Sequence, residues 1–382
     1  MLRLAPSLAA AALGLVAWSQ AGYPLALAAW RRAGGSAPLD LSRASDELPH
    51  VALVVAAHDE AAVIAGKVRD AHALDYPADR LTVVVTDDAS TDGTPAIAEA
   101  AGADLVLRNG RGGKVAAQDA AVRAVPDVDV VAFSDANARW APDALRALVT
   151  AFADPHVGYA CGRVTFTAAD GATNQEGLYW RYEMALRSLE SDLGSVTAGN
   201  GAIYAVRRGA YVEVDPRMGH DLKLPTTLVR AGWRCVDVPG ARATEPMVPS
   251  VEGEGARKRR MMSHAWAIVL DGGLLDLRGL PGRYVLFLVS HRVLRYAGPF
   301  LHLVAVATLP EAARRSWLAR AAIAAHAAVG GLAAAGTRAG RPGLVARYYV
   351  LTQASIAQGL ADHLREGTAV GWDAPEGTRI AG

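Results

Sequence analysis

The chain has 382 residues, room for two or three domains at ~100–200 residues each. Apolar residues make up 52% and charged residues 20%, and the mean hydropathy is +0.15, which excludes a disordered chain. The 39 Lys+Arg against 38 Asp+Glu leave a net charge of +1, which excludes the basic footprint of a nucleic-acid binder.

In chain order, Leu4–Trp30 carry no charge, a run longer than the ~20 residues that cross a bilayer. Arg31 and Arg32 close it, and Trp18, Tyr23 and Trp30 suit a membrane interface. Residues 1–32 are therefore expected to be a transmembrane anchor; a cleaved signal peptide is the alternative. A small, polar connector follows at 33–48. From there strands and helices alternate. Val51–Ala56 is a continuous apolar run, as in a strand covered on both faces. A helical pattern occupies 60–74. Strand Leu81–Val85 leads into the turn DDASTDGT and a helix at 94–101. Strand Asp104–Leu107 precedes a helix at 114–124, and strand Val128–Phe133 precedes a helix over Pro142–Phe152. This order implies a mainly parallel α/β sheet with helices on both faces.

Ligands of such sheets bind at the carboxyl ends of the strands. The acidic clusters fall there: His58-Asp59-Glu60, Asp87-Asp88 and Asp135-Ala136-Asn137. A single cluster of this kind can be a turn or a cap; three in one sheet point to a site. No Gly-rich phosphate fingerprint follows the first strand, which excludes the dinucleotide and P-loop readings. Lys114 opens a helix after Gly112-Gly113, and a lysine at a helix start suits a nearby anion. Gly199-Asn200-Gly201 is either a close-approach loop or a plain turn. Asp221, ahead of LKLPTTLV, is either a base or a helix cap. His220 beside it reads as a polar loop histidine, and Trp180, Trp233 and Trp266 read as core residues, with stacking on sugar faces the alternative. Cys161 and Cys235 show neither metal-ligand spacing nor a disulfide framework. The C-terminal region holds three apolar stretches, 284–310, 321–337 and 348–361, read as two to three membrane helices. Arg292 and Arg295 place 284–296 at the membrane surface.

Residues 49–270 resemble the family-2 inverting glycosyltransferases of the GT-A fold, in their bacterial membrane-anchored form. The matching pieces stand in the family's order: VALVVAAHDE, VVVTDDASTDGT, RNGRGGKVAAQDAAV, FSDANA, GNGAIYAVRR, GHDLKLPTTLVRAGWR and EGARKRRMM. The stretch SHRVLRY at 290–296 is similar to a membrane-proximal segment of bacterial relatives. The resemblance implies a nucleotide-sugar-binding half at 49–150, an acceptor and catalytic half at 151–270, and interfacial and transmembrane helices at 271–382.

It also implies roles. Asp221 is the general base. Glu60, Asp88, Asp92, Lys114 and Asp135 bind the nucleotide-sugar. Gly199, Asn200 and Gly201 face the acceptor. Arg257 and Arg260 neutralise the diphosphate as a gating segment closes. Asp135 and Asn137 hold Mg or Mn. The family's D-x-D becomes Asp135-x-Asn137 here, and the Q-x-x-R-W of processive synthases becomes Arg257-x-x-Arg260-Met261. The implied enzyme is a multi-pass cell-membrane protein with its catalytic domain, and Arg31, Arg32 and Arg43, facing the cytosol. It moves a sugar from a UDP-linked donor to a glycan or lipid-linked acceptor in envelope or extracellular polysaccharide synthesis. The alternatives are a polyprenyl-phosphate glycosyltransferase and a nucleotide-sugar-binding membrane scaffold.

Overall fold

The computed structural model describes residues 4–42, 47–167, 176–246 and 251–370; Arg43 lies outside them. The first four strands are β1 (Val51–Ala57), β2 (Leu81–Asp88), β3 (Leu105–Asn109) and β4 (Val130–Asp135). The helices between them are α3 (Ile64–His72), α4 (Thr94–Ala100) and α5 (Gly113–Ala124). The β1–β2, β1–β4 and β2–β3 pairs are all parallel. Every residue of β1 is buried, as the unbroken apolar run demands of a strand covered on both faces.

β5 (Arg139–Trp140), α6 (Ala144–Thr150), β6 (Val157–Thr167), β7 (Ile203–Arg207) and β8 (Arg234–Pro246) extend the sheet. Its order is β3-β2-β1-β4-β7-β6-β8-β5. β7 is antiparallel to both β4 and β6, whereas β6 and β8 are parallel. The result is a mainly parallel mixed sheet, as the alternating pattern implied. Two helices flank its second half: α7 (Glu176–Leu193) and α8 (His220–Arg230). A core of β-strand side chains continues through Leu186, Leu224, Leu228, Trp266 and Phe287, so the helices beyond the sheet share its apolar interior.

α1 (Ala5–Ala17) and α2 (Tyr23–Arg32) are joined by a π-helical turn at Trp18–Gly22. At the other end lie α9 (Val251–Leu270), α10 (Gly282–Phe287), α11 (Leu294–Ala313), α12 (Trp317–Ala335) and α13 (Gly340–Glu366). Ala9 and Ala12 of α1 pack on Ala305, Leu309 and Ala312 of α11, a small-residue seam of the kind that lets helices approach closely. Among the described residues, two helical stretches are long and apolar enough to cross a membrane, Gly282–Ala313 and Trp317–Glu366. Leu303, Val306, Trp317 and Leu318 point outward there.

Three expectations are corrected. Arg292 is buried, and Arg295 pairs with Glu183, so 284–296 turns its charges inward against α7 instead of lying on the surface. The charge of Glu183 offers these cations a partner that lipid does not. Tyr23 is fully buried, not interfacial, because its hydroxyl donates to Glu190 Oε1 at 2.9 Å. His220 is a buried helix residue, not a loop histidine. Its Nδ1 lies 2.8 Å from the Tyr204 hydroxyl, and its ring stands edge-on to Phe133, Tyr204 and Tyr211.

Candidate active site

The loops after β1 and β2 are laced together at the carboxyl end of the sheet. The Asp59 N–H donates to Ser90 Oγ at 2.8 Å, and the Thr91 N–H returns a bond to Asp59 Oδ1 at 2.7 Å. The Glu60 N–H donates to Thr94 Oγ1 at 2.8 Å, and the Ala61 N–H to Asp92 Oδ2 at 2.9 Å. Asp92 also accepts from the Thr94 N–H and hydroxyl. Burial alone would raise its carboxyl pKa, but these bonds outweigh burial and hold it below the ordinary value. Asp92 thus supports the turn. Asp59 (φ 52°) and Ala89 (φ 59°) both adopt the left-handed conformation, so both loops hold non-glycine residues in a costly backbone region.

Asp88 is buried, and its side chain faces the Arg111-Gly112-Gly113 loop. Oδ1 accepts from the Gly112 N–H at 2.6 Å and the Gly113 N–H at 3.0 Å, while Arg111 Nη1 lies 3.2 Å from Oδ2. This carboxylate therefore orders the start of α5. Gly113 has φ 83°, and a Cβ there would strike the Val370 carbonyl, so only glycine fits. The loop delivers Lys114 to Asp135 at the end of β4, where the two form an ion pair. Lys114 Nζ also lies 3.4 Å from the Gly201 carbonyl oxygen. A small cleft lined by Ala56, Ala57, His58, Asp88 and Lys114 opens beside this pair. A roomier cavity, lined by residues such as Trp233, Arg234 and Arg283, lies at the base of α10 and holds none of these carboxylates.

The residues expected on the acceptor side reach the same mouth through Gly201. Gly199 packs so closely on Tyr159 that a Cβ would overlap its hydroxyl. The Gly199 N–H donates to the Asp221 carbonyl oxygen at 2.6 Å, and Arg187 Nη2 donates to the Gly199 carbonyl oxygen at 2.7 Å. Asn200 Oδ1 accepts from the Ala202 N–H at 3.0 Å. Asp221 stands in the first turn of α8; the N-cap position belongs to Gly219. Its Oδ1 accepts from the Leu222 N–H at 3.1 Å, and the side chain is only partly buried. Arg257 and Arg260 lie on α9, and the charge of Arg257 opposes the upward pKa shift of Glu245. Trp180 and Trp266 donate to the Val164 and Ile356 carbonyl oxygens, the core role expected of them.

Two groups escaped the sequence reading. Lys67 is buried beneath the Asp135 turn, and its Nζ donates to Ser134 Oγ and to the Ala138 carbonyl oxygen, both at 2.6 Å. Burial pushes its pKa down to about 8, against the attraction of Asp135. A signal was present: Lys67 sits among Ile64, Val68 and Ala71 on the apolar face of α3, where a lysine needs a reason. Glu245 of β8 is the second. Burial and the Asp135 carboxylate push its pKa up to about 7, with Lys114, Arg257 and Lys67 opposing.

Among the described residues no group of three His, Cys, Asp or Glu side chains is gathered to hold a metal. The oxygen donors nearest the end of β4 are the Asp135 carboxylate, the Asn137 amide two residues further along the chain, and the Glu245 acid, whose pKa Asp135 raises. That set fits a hard divalent cation whose remaining ligands come from diphosphate and water.

The family model for glycosyltransferase like family 2 matches residues 49–264. A beta-monoglucosyldiacylglycerol synthase of Synechocystis is 37% identical over 166 residues, 41% of this chain. The match spans 33% of that relative's own length. A mannosyltransferase from Pyrobaculum calidifontis, solved with GDP-Man and Mn2+, superposes with a TM-score of 0.69 at 27% identity. The superposition covers 94% of this chain and 99% of that one.

Proposed function

The chain belongs to glycosyltransferase family 2 and has the GT-A fold, and we propose that it is a membrane-bound, inverting, metal-dependent enzyme. In this reading 1–32 is the anchor, 49–150 takes the donor, 151–270 the acceptor, and 271–382 lies in or on the membrane, with the catalytic domain in the cytosol. The observation that carries the reading is the meeting of Lys114, Asp135, Gly201 and the Asp221 segment at one mouth. The near end-to-end likeness to a mannosyltransferase holding GDP-Man and Mn2+ supports it.

Asp135, with Asn137, would hold a divalent cation, which when bound supplies positive charge to the donor diphosphate. Lys114, Arg257 and Arg260 add charge to the same leaving group. Glu60 and Asp88 lie on the nucleotide side. Asp221 accepts the proton of an acceptor hydroxyl as its oxygen bonds to the anomeric carbon. The bond from that carbon to the diphosphate oxygen breaks, a nucleoside diphosphate leaves, and a single displacement inverts the centre. Asp88 contributes by shaping the glycine loop as well as by facing the nucleotide.

The outward apolar residues on α11 and α12 favour an acceptor presented at a bilayer. So does the resemblance to an enzyme named for a glucosylated diacylglycerol. A lipid-linked acceptor in envelope glycan or glycolipid synthesis follows. The test is a panel of UDP- and GDP-sugars read by nucleotide release, with and without a chelator. Release from one donor only, lost on chelation, is expected. Release from none would overturn the reading.

A further inference from the structure

The SHRVLRY stretch takes no part in the chemistry above, yet Ser290, His291 and Arg292 are buried and Arg295 is partly so. His291 lies between two carboxylates of α7, its Nδ1 2.7 Å from Glu190 Oε1 and its Nε2 3.4 Å from Glu183 Oε2. Arg295 pairs with both oxygens of Glu183, and Arg292 Nη1 lies 3.9 Å from it. Glu190 also accepts from the Tyr23 hydroxyl of α2. Burial alone would raise both carboxyl pKa values, but Arg295 and His291 hold Glu183 well below its ordinary range, and His291 and Arg292 hold Glu190 below it. The cluster therefore joins α2, α7 and the apolar stretch Gly282–Ala313.

Thr197 is its outlet. The Thr197 hydroxyl donates to Glu190 Oε2 at 2.9 Å, accepts from Arg292 Nε at 3.0 Å and lies 3.2 Å from His291 Nδ1. Its backbone N–H donates to the same Glu190 oxygen at 3.1 Å. Two residues on, Gly199 is bonded to the Asp221 carbonyl oxygen and to Arg187. Gly201 then meets Lys114. Hydrogen bonds at Thr197, Gly199 and Gly201 thus tie one short stretch of backbone to the apolar helices at its start and to the mouth at its end.

We propose that Thr197 is a positioning residue, through which the buried Glu183–Glu190–His291–Arg292 cluster fixes loop 195–201 against Asp221. The acceptor geometry is then set from the membrane-side helices. The consequence for transfer rests on the reading of this loop and Asp221 as the acceptor side; the fixing of the loop does not.

Thr197→Val removes the hydroxyl and keeps the shape, and Thr197→Ser restores the hydroxyl. In the full chain in detergent, hydrogen exchange of segment 195–201 should be about tenfold faster in Thr197→Val, the scale of one lost hydrogen bond to a charged group. Segment 51–57 should not change, and Thr197→Ser should match wild type. Transfer from UDP-glucose or GDP-mannose to diacylglycerol micelles should fall about tenfold in kcat by the same loss. Binding of UDP or GDP with Mn2+ should stay within about twofold, since the loop lies off the nucleotide side. Wild-type exchange in Thr197→Val overturns the proposal, as does faster exchange with unchanged transfer in an active enzyme. If wild type transfers from neither donor, the acceptor reading fails, while the exchange contrast still decides whether the cluster fixes the loop. Should Thr197→Val not fold, Glu190→Gln, which keeps the volume but not the charge, provides the same contrast.

Discussion

Lys114 and Asp135 form an ion pair across the ends of α5 and β4. Burial works against the ammonium, yet the Asp135 carboxylate outweighs it and holds the lysine above its ordinary pKa. A divalent cation bound at Asp135 must therefore share or take over a carboxylate that already has a partner. Lys114→Met should tighten the binding of Mn2+ alone by several-fold, because the competing charge is gone. The same variant should weaken UDP or GDP binding by about tenfold, since a charge-assisted contact to diphosphate is lost. Calorimetry with Mn2+ alone and with nucleotide separates the two effects. Weaker Mn2+ binding in Lys114→Met would show that the lysine does not compete.

Lys67 supports the same turn from below. Its two bonds bracket Asp135 and Asn137 at Ser134 and Ala138. Lys67→Met removes the cost of burying a charge but leaves those two oxygens without their donor, at about 1–3 kcal/mol for a buried group. Mn2+ affinity in the presence of nucleotide should drop, and Lys67→Arg should not restore it, since a planar guanidinium fork does not reproduce the two bonds of a compact ammonium. Unchanged Mn2+ affinity in Lys67→Met would make the lysine a packing residue only.

Ala89 occupies a left-handed position in the DDASTDGT turn, with φ 59°. That conformation costs an L-residue about 1–2 kcal/mol, and glycine avoids the cost. The added unfolded-state freedom of glycine returns about 0.5–1 kcal/mol of it. Ala89→Gly should therefore raise stability by up to about 1.5 kcal/mol, the balance of those two effects. An Ala120→Gly control, at a partly exposed position inside α5, should lower it by about the usual helix penalty. Denaturant midpoints of both variants check this.

Much of this was legible in the sequence. Continuous apolar runs located β1, β2 and β4 within a few residues, because a strand buried on both faces tolerates no polar interruption. The acidic residues at those strand ends were equally plain. What stayed hidden were partners distant in sequence. Asp88 reads as a ligand group alone, and its bonds to Gly112 and Gly113 add a part in shaping the loop that the sequence does not announce. Arg292 and Arg295 read as surface charges because nothing local announces Glu183, more than a hundred residues earlier in the chain. Burial of an ion depends on what tertiary packing brings beside it, and periodicity carries no information about that.

Glu245 gives the site a pH signature. Its folded-state pKa is raised to about 7 from an ordinary 4.5, by burial first and then by Asp135. The folded state thus holds this proton more tightly than the unfolded state. The stabilisation is fully present below pH 4.5 and is lost as pH rises through about 7. Glu245→Gln, which resembles the protonated acid at every pH, should gain melting temperature relative to wild type across that window. A difference that is flat from pH 4.5 to 7 would place the titration elsewhere.

Asp221 carries the last expectation. It stands one residue inside α8, its carbonyl oxygen tied to the Gly199 N–H, its carboxylate partly open. The N-cap position is held by Gly219, while the Asp221 carboxylate accepts from the Leu222 N–H of the first turn and keeps an oxygen open. An acceptor hydroxyl is a poor nucleophile until its proton is drawn away, and a positioned base is worth about 10²–10⁴ in rate. Asp221→Asn keeps size and shape and the bond from the Leu222 N–H, but removes the basic oxygen. Turnover should fall by that factor while Mn2+ and nucleotide bind as in wild type and the melting temperature holds. Near-normal turnover in Asp221→Asn would leave the proton to another acid at the mouth, and Glu245, with its raised pKa, is the first to test.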